Sequence, residues 1–207
     1  MRTTFLSQLI VAFGIFLIIV AVIVEIPSPR LRPQTVVEQL CRQDRAVVNL
    51  ASQPIPQAPT REDYARGAAV AIVAIEMYNR PAIWRLAKEV VFDAMAWTSP
   101  RIAQATIGPA QMSRAFFERE IAPLVPDATF PESVLAPESA RNLIRTWIEA
   151  RLAKKVPANS AAKTYAFELG HLFEIYNGSR DPEYRMVALR IALDHCRSDS
   201  TPRDRPP

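Results

Sequence analysis

The chain has 207 residues, and 49% of its side chains are hydrophobic, so it can bury one sizeable core but is too short for two large domains. Its formal net charge is +4 with a sequence pI near 9.3, spread along the chain without a long Lys/Arg block. That pattern argues against a nucleic-acid partner and suits anionic polymers such as cell-wall glycan or a membrane face. The cysteines, Cys41 and Cys196, and the histidines, His171 and His195, form no zinc-type spacing, so neither a metal nor another cofactor is expected.

The first element predicted is a membrane anchor over residues 1–26. Residues 3–24 carry no charge and are dominated by Phe, Leu, Ile and Val. At about 1.5 Å rise per residue, such a segment crosses a hydrocarbon core of about 30 Å. A cleavable signal peptide would need a shorter apolar core and a small-x-small cleavage site, which Val22, Ile23, Val24 and Glu25 do not offer. Arg2 on one side and Arg30 and Arg32 on the other leave the orientation undecided by charge. Residues 27–33 hold three prolines and read as a stiff spacer.

A helical domain is expected over residues 34–197, followed by a disordered tail at 198–207. Its first helix is predicted over 34–51. Thr60 and Asp63 have the spacing of a capping box and open the next helix, which runs until Pro81. An amphipathic helix over 81–97 follows, then a polar turn through Gly108 and a third helix over 109–121. Pro137 starts a helix with Leu143, Ile144, Trp147, Ile148 and Leu152 on one face. Asn159 and Ser160 are placed to cap another, with Tyr165, Leu169, Leu172, Phe173 and Tyr176 inward. A last helix covers 181–195. No run alternates with period two, so the fold class expected is all-α. Cys41 and Cys196 sit near the two ends of this domain, where they form either a clasp or two buried thiols.

Glu76 stands at the end of the apolar run Ala68, Ala69, Val70, Ala71, Ile72, Val73, Ala74, Ile75. A carboxyl group among aliphatic side chains loses hydration when ionised, so it tends to keep a proton, as a general acid must. The structural alternative is pairing with Arg66, Arg80 or Arg85. Downstream come Gly108 and Gln111 in one turn, then Tyr176, Asn177 and Gly178. In this order and helical setting, the residues resemble the lysozyme-like lytic transglycosylases, the superfamily of soluble lytic transglycosylases and goose-type lysozymes, as a divergent member. The resemblance covers about residues 63–187. It departs from the family in having Met77 where a Ser usually follows the Glu, in reading Ile175, Tyr176, Asn177, Gly178 for Ala-Tyr-Asn-Ala-Gly, and in an apparent insertion at the Trp84 to Trp97 helix.

The resemblance implies a lysozyme-like catalytic domain in which Glu76 acts as both acid and base. Gly108 and Gln111 would shape the substrate floor, Tyr176 would orient the acid and Asn177 would touch substrate or fix the turn. The implied reaction is cleavage of the β-1,4 bond between N-acetylmuramic acid and N-acetylglucosamine, with the sugar's own 6-hydroxyl forming a 1,6-anhydro product. Hydrolysis would need a second carboxylate, for which Asp63, Asp93 and Glu118 are the options. The alternative is an inactive peptidoglycan-binding or scaffold protein on the same fold. In either case the expected partners are glycan strands and, through the N-terminal helix, the inner membrane, with the domain facing the periplasm. Trp84, Trp97 and Trp147 are expected mainly in the core.

Overall fold

The computed structural model describes residues 33–54, 56, 58–80, 85–86, 89–90, 92, 105–158, 160–178 and 181–194. The predicted span, most of the spacer, most of the 81–97 helix, Cys196 and the tail lie outside these residues. No helix among the described residues is long and apolar enough to cross a membrane. The described chain is mostly helical, as expected.

α1 (Pro33–Gln43) and α2 (Arg45–Ser52) replace the single helix predicted over 34–51. Asp44 makes the break. Its carboxylate accepts the backbone N–H groups of Ala46 and Val47 at 2.9 and 3.0 Å, offering the chain an N-cap in place of continuous helix. Pro33, assigned to the spacer by sequence, is instead the first residue of α1, where its missing N–H costs nothing.

α3 (Arg61–Asn79) is the central element. The capping box forms as predicted: Asp63 N–H donates to Thr60 Oγ1 at 3.2 Å, and Thr60 N–H donates to Asp63 Oδ2 at 2.9 Å. Beyond its first turn the helix is buried nearly all round, from Tyr64 and Ala65 to Ile75 and Glu76. A helix apolar on every face must run through a core. Accordingly, α3 packs chiefly against α6 (Pro137–Lys155) and α8 (Pro182–Asp194). Gly67 sets the closeness to α8, because a Cβ built there would lie 2.5 Å from the Ala192 carbonyl oxygen.

Between these helices lies a hairpin that the all-α expectation lacks. β1 (Thr106–Ile107) pairs antiparallel with β2 (Met112–Ser113), Thr106 opposite Ser113 and Ile107 opposite Met112. Two residues per strand are too few to show period-two alternation. The helix predicted from 109 therefore begins only at Arg114. Gly108 and Gln111 both have positive φ, +71° and +49°, which no right-handed helix accommodates. Ser113 then caps α4 (Arg114–Phe116) by accepting the Phe116 N–H at 3.1 Å. The chain continues as a π-turn, Phe117–Ile121, closed by Ala122 N–H to the Phe117 carbonyl at 2.9 Å.

The short α5 (Glu132–Leu135) leads into α6, which starts at Pro137 as predicted. α7 (Ala162–Asn177) has Ala161 at its N-cap and no side-chain cap bond, so Ser160 is not its cap, and Asn159 lies outside the described residues. Gly178, left-handed at φ +66°, ends α7. Asp181 caps α8 by accepting the N–H groups of Glu183 and Tyr184. Ile72, Ile144, Trp147, Ile148, Tyr165, Leu169, Phe173 and Ile191 are fully buried where α3, α6, α7 and α8 meet. Trp147 is thus a core residue, as expected, whereas Trp84 and Trp97 lie outside the described residues. Cys41 is disulfide-bonded, and the sequence holds one other cysteine, Cys196.

Candidate active site

Glu76 occupies the last turn of α3 and is 8% exposed. Three arginines near it in sequence make hydrogen bonds at the ends of α3, and Glu76 has an interaction of its own. Arg66 donates to Asp63 at 2.6 Å, Arg80 to Gln111 Oε1 at 2.7 Å, and Arg85 to the Met77 and Arg80 carbonyls at 3.0 and 2.7 Å.

Two tyrosine hydroxyls lie within electrostatic reach of the Glu76 carboxyl. Tyr176, on the last turn of α7, has its hydroxyl pKa raised well above the ordinary value, first by burial and then by the charge of Glu76. Tyr184, in the first turn of α8, is raised by burial, then by Glu76 and Tyr176. The Tyr184 hydroxyl is buried outside strict hydrogen-bond geometry among the described residues, yet near enough to Glu76 for a loose contact. Tyr176 is held firmly, because its hydroxyl donates to the Ala110 carbonyl at 2.5 Å. That bond ties the end of α7 to the hairpin turn. Glu76, the 108–111 turn and Tyr176 therefore come together from three distant stretches of sequence.

The turn is built differently from the sequence expectation. Gly108 is buried, and a Cβ there would fall 2.1 Å from the Val134 carbonyl oxygen. Its bare α-carbon makes room for the protein's own backbone at α5. Gln111, 6% exposed, folds its side chain back over the turn. Its Nε2 donates to the Gly108 carbonyl at 2.7 Å, while its Oε1 accepts from Arg80 at 2.7 Å and Thr106 at 3.3 Å. The amide bonds thus staple the hairpin and join it to the end of α3. Asn177 follows Tyr176 as the last, partly exposed residue of α7, at the predicted helix stop.

Of the carboxylates considered as a second catalytic group, Asp63 and Glu118 are engaged elsewhere. Asp63 serves the capping box thirteen residues before Glu76, about 20 Å away along the helix. Glu118 is 62% exposed and pairs with Arg114 at 3.8 Å, and Asp93 lies outside the described residues. His171 is half-exposed, 3.6 Å from Glu174 on the surface of α7.

Sequence reasoning missed Tyr184 and Glu120, and it named Arg80 only as a partner for Glu76, not for Gln111. Tyr184 was findable: with Val187, Ala188 and Ile191 it has the spacing of an inward stripe. Glu120 carries no such signal, because it faces inward from the π-turn beside the exposed Arg119. It accepts Trp147 Nε1 at 3.0 Å and Arg119 Nε at 3.0 Å, and it pairs with Arg151. Burial pushes its pKa up, but hydrogen bonds from Arg151, Arg119 and Trp147 outweigh this and hold it at about 2.

Among the described residues, no cluster of three or more His, Cys, Asp or Glu could hold a metal ion. Comparison with protein-family models, curated proteins and solved structures yields no match.

Proposed function

We propose that the chain is a peptidoglycan lytic transglycosylase, built on a lysozyme-like helical domain and held at the inner membrane by its N-terminal span with the domain in the periplasm. Glu76 is the single acid and base. The observation that supports this reading is the meeting of Glu76, in a dehydrated setting, with Tyr176 beside the 108–111 turn.

Glu76 is 8% exposed and follows Ile72, Val73 and Ile75 on α3, a setting shielded from bulk water in which a general acid can work. Tyr176, its hydroxyl fixed on the Ala110 carbonyl, lies within electrostatic reach of that carboxyl. Tyr184 is the complementary partner. Burial and the neighbouring charge keep its hydroxyl protonated, and it can donate to the carboxylate left after proton transfer. In the proposed reaction, Glu76 gives its proton to the glycosidic oxygen as that bond breaks, then accepts the proton of the 6-hydroxyl that attacks the anomeric carbon. No second carboxylate is required.

The test is incubation of the full chain with purified sacculi in water enriched in heavy oxygen. The proposal expects soluble products ending in 1,6-anhydro-N-acetylmuramic acid, with no heavy oxygen at the anomeric carbon. Reducing ends carrying the label would make the protein a hydrolase. Binding to sacculi without released product would make it an inert wall-binding or scaffold protein.

A further inference from the structure

A buried carboxylate outside the Glu76 centre makes a directional bond that simple charge pairing does not require. Glu120 is 8% exposed on the π-turn, and one of its oxygens accepts the Trp147 indole N–H at 3.0 Å. Trp147 is wholly buried, so its N–H needs a partner. Glu120 supplies that partner.

The orientation of the indole has consequences for the site. The Trp147 ring lies 6.0 Å from the Tyr176 ring, tilted by 48°, and meets Phe116 edge-on at 5.1 Å. Phe116 in turn meets Tyr176 edge-on at 5.1 Å. The three rings form a closed triangle within the core, and Tyr176 carries its hydroxyl from there to the Ala110 carbonyl, within electrostatic reach of Glu76. Close-packed rings have few alternative arrangements, so a rotation of the indole displaces the tyrosine. We propose that Glu120 is a positioning residue for the Glu76 centre, acting through Trp147 on Tyr176. This rests on the reading of Glu76 as the reacting group. The π-turn is part of the device, since such turns recur where a side chain must be set at an angle a regular helix does not give.

The test uses the full chain labelled at the tyrosine ring carbons, with the Tyr176 signal assigned by its loss in Tyr176→Phe. In Glu120→Ala that signal should move, and in Glu120→Gln, which keeps an oxygen for the indole, it should return most of the way. Turnover on sacculi should fall about tenfold in Glu120→Ala with KM changed less than about twofold, the signature of a misplaced group. If Glu120→Ala does not fold, Trp147→Phe, which removes the N–H and keeps an aromatic ring, carries the same readout. An unmoved Tyr176 signal in a folded variant overturns the proposal. A moved signal in a protein whose native form releases no sugar product would uphold the positioning role and refute the catalytic reading beneath it.

Discussion

Replacing Gly108 by alanine separates two uses of a glycine that the sequence alone confuses. A glycine at this point can let a ligand approach the backbone, or it can make room for the protein itself. The geometry points to the second use: φ is +71°, and an added Cβ would lie 2.1 Å from the Val134 carbonyl oxygen. A non-glycine residue in the left-handed region costs about 1–2 kcal/mol. Overpacking against backbone, which cannot swing aside, adds about 1–3 kcal/mol. The expected loss for Gly108→Ala is therefore about 2–5 kcal/mol, a fall in Tm of about 5–15 °C for a domain of this size. Gly178→Ala is the internal control, with φ +66° and nothing within 4 Å of the new Cβ, so it should lose only the strain, about 1–2 kcal/mol. Thermal unfolding followed by far-UV circular dichroism on both variants gives the comparison. Equal shifts in Tm, with turnover lost only in Gly108→Ala, would refute the packing argument and restore a role at the ligand surface.

Gly67→Ala should also destabilise, because the clash at 2.5 Å with the Ala192 carbonyl outweighs the gain in helix propensity of about 1 kcal/mol; a net loss of about 1–2 kcal/mol should appear in denaturant unfolding as a lower midpoint at unchanged m-value. The Glu120 carboxyl has a folded pKa of about 2, below its ordinary value of 4.5, so its contribution is complete above the unfolded pKa and is lost as pH falls from there towards 2. The shift corresponds to about 3 kcal/mol, reduced to about 1–2 because Arg119 and Arg151 are solvent-exposed. Glu120→Gln should therefore flatten the loss of stability between about pH 5 and 2, measured by unfolding across that range. Cys41 is disulfide-bonded, and Cys41→Ser should lower stability by about 2–5 kcal/mol, with reductant reproducing the effect on the native chain and leaving the variant unchanged.

How legible each part was in the sequence follows from the range of the forces that set it. α3, α6 and α7 were readable because capping and apolar periodicity are local: Thr60 with Asp63, Pro137, and the Gly178 stop all act within a turn of their own position. The break at Asp44 was equally local, yet it was hidden because apolar spacing continues through it from Leu40 to Val47. The hairpin was not legible. Its strands are two residues long, and the positive φ at Gln111 depends on its side chain reaching Gly108 and Arg80. For the site, the order of Glu76, Gln111 and Tyr176 was visible as a pattern, but the partners of each were not. The bond from Tyr176 to Ala110 spans sixty-six residues, and the Tyr184 hydroxyl reaches Glu76 only because α8 packs along α3. Such contacts are products of tertiary packing and leave no local trace.

Glu76→Gln gives the most direct measurement, with sacculus binding and product release recorded on the same preparation. Glutamine keeps the shape of the side chain and can carry no transferable proton. Release should fall by about a thousandfold or more, in the range general acid catalysis supplies or beyond, while binding to sacculi stays within about twofold of the native chain. Release of anhydro products that survives in Glu76→Gln would contradict the assignment of this carboxyl as the acid.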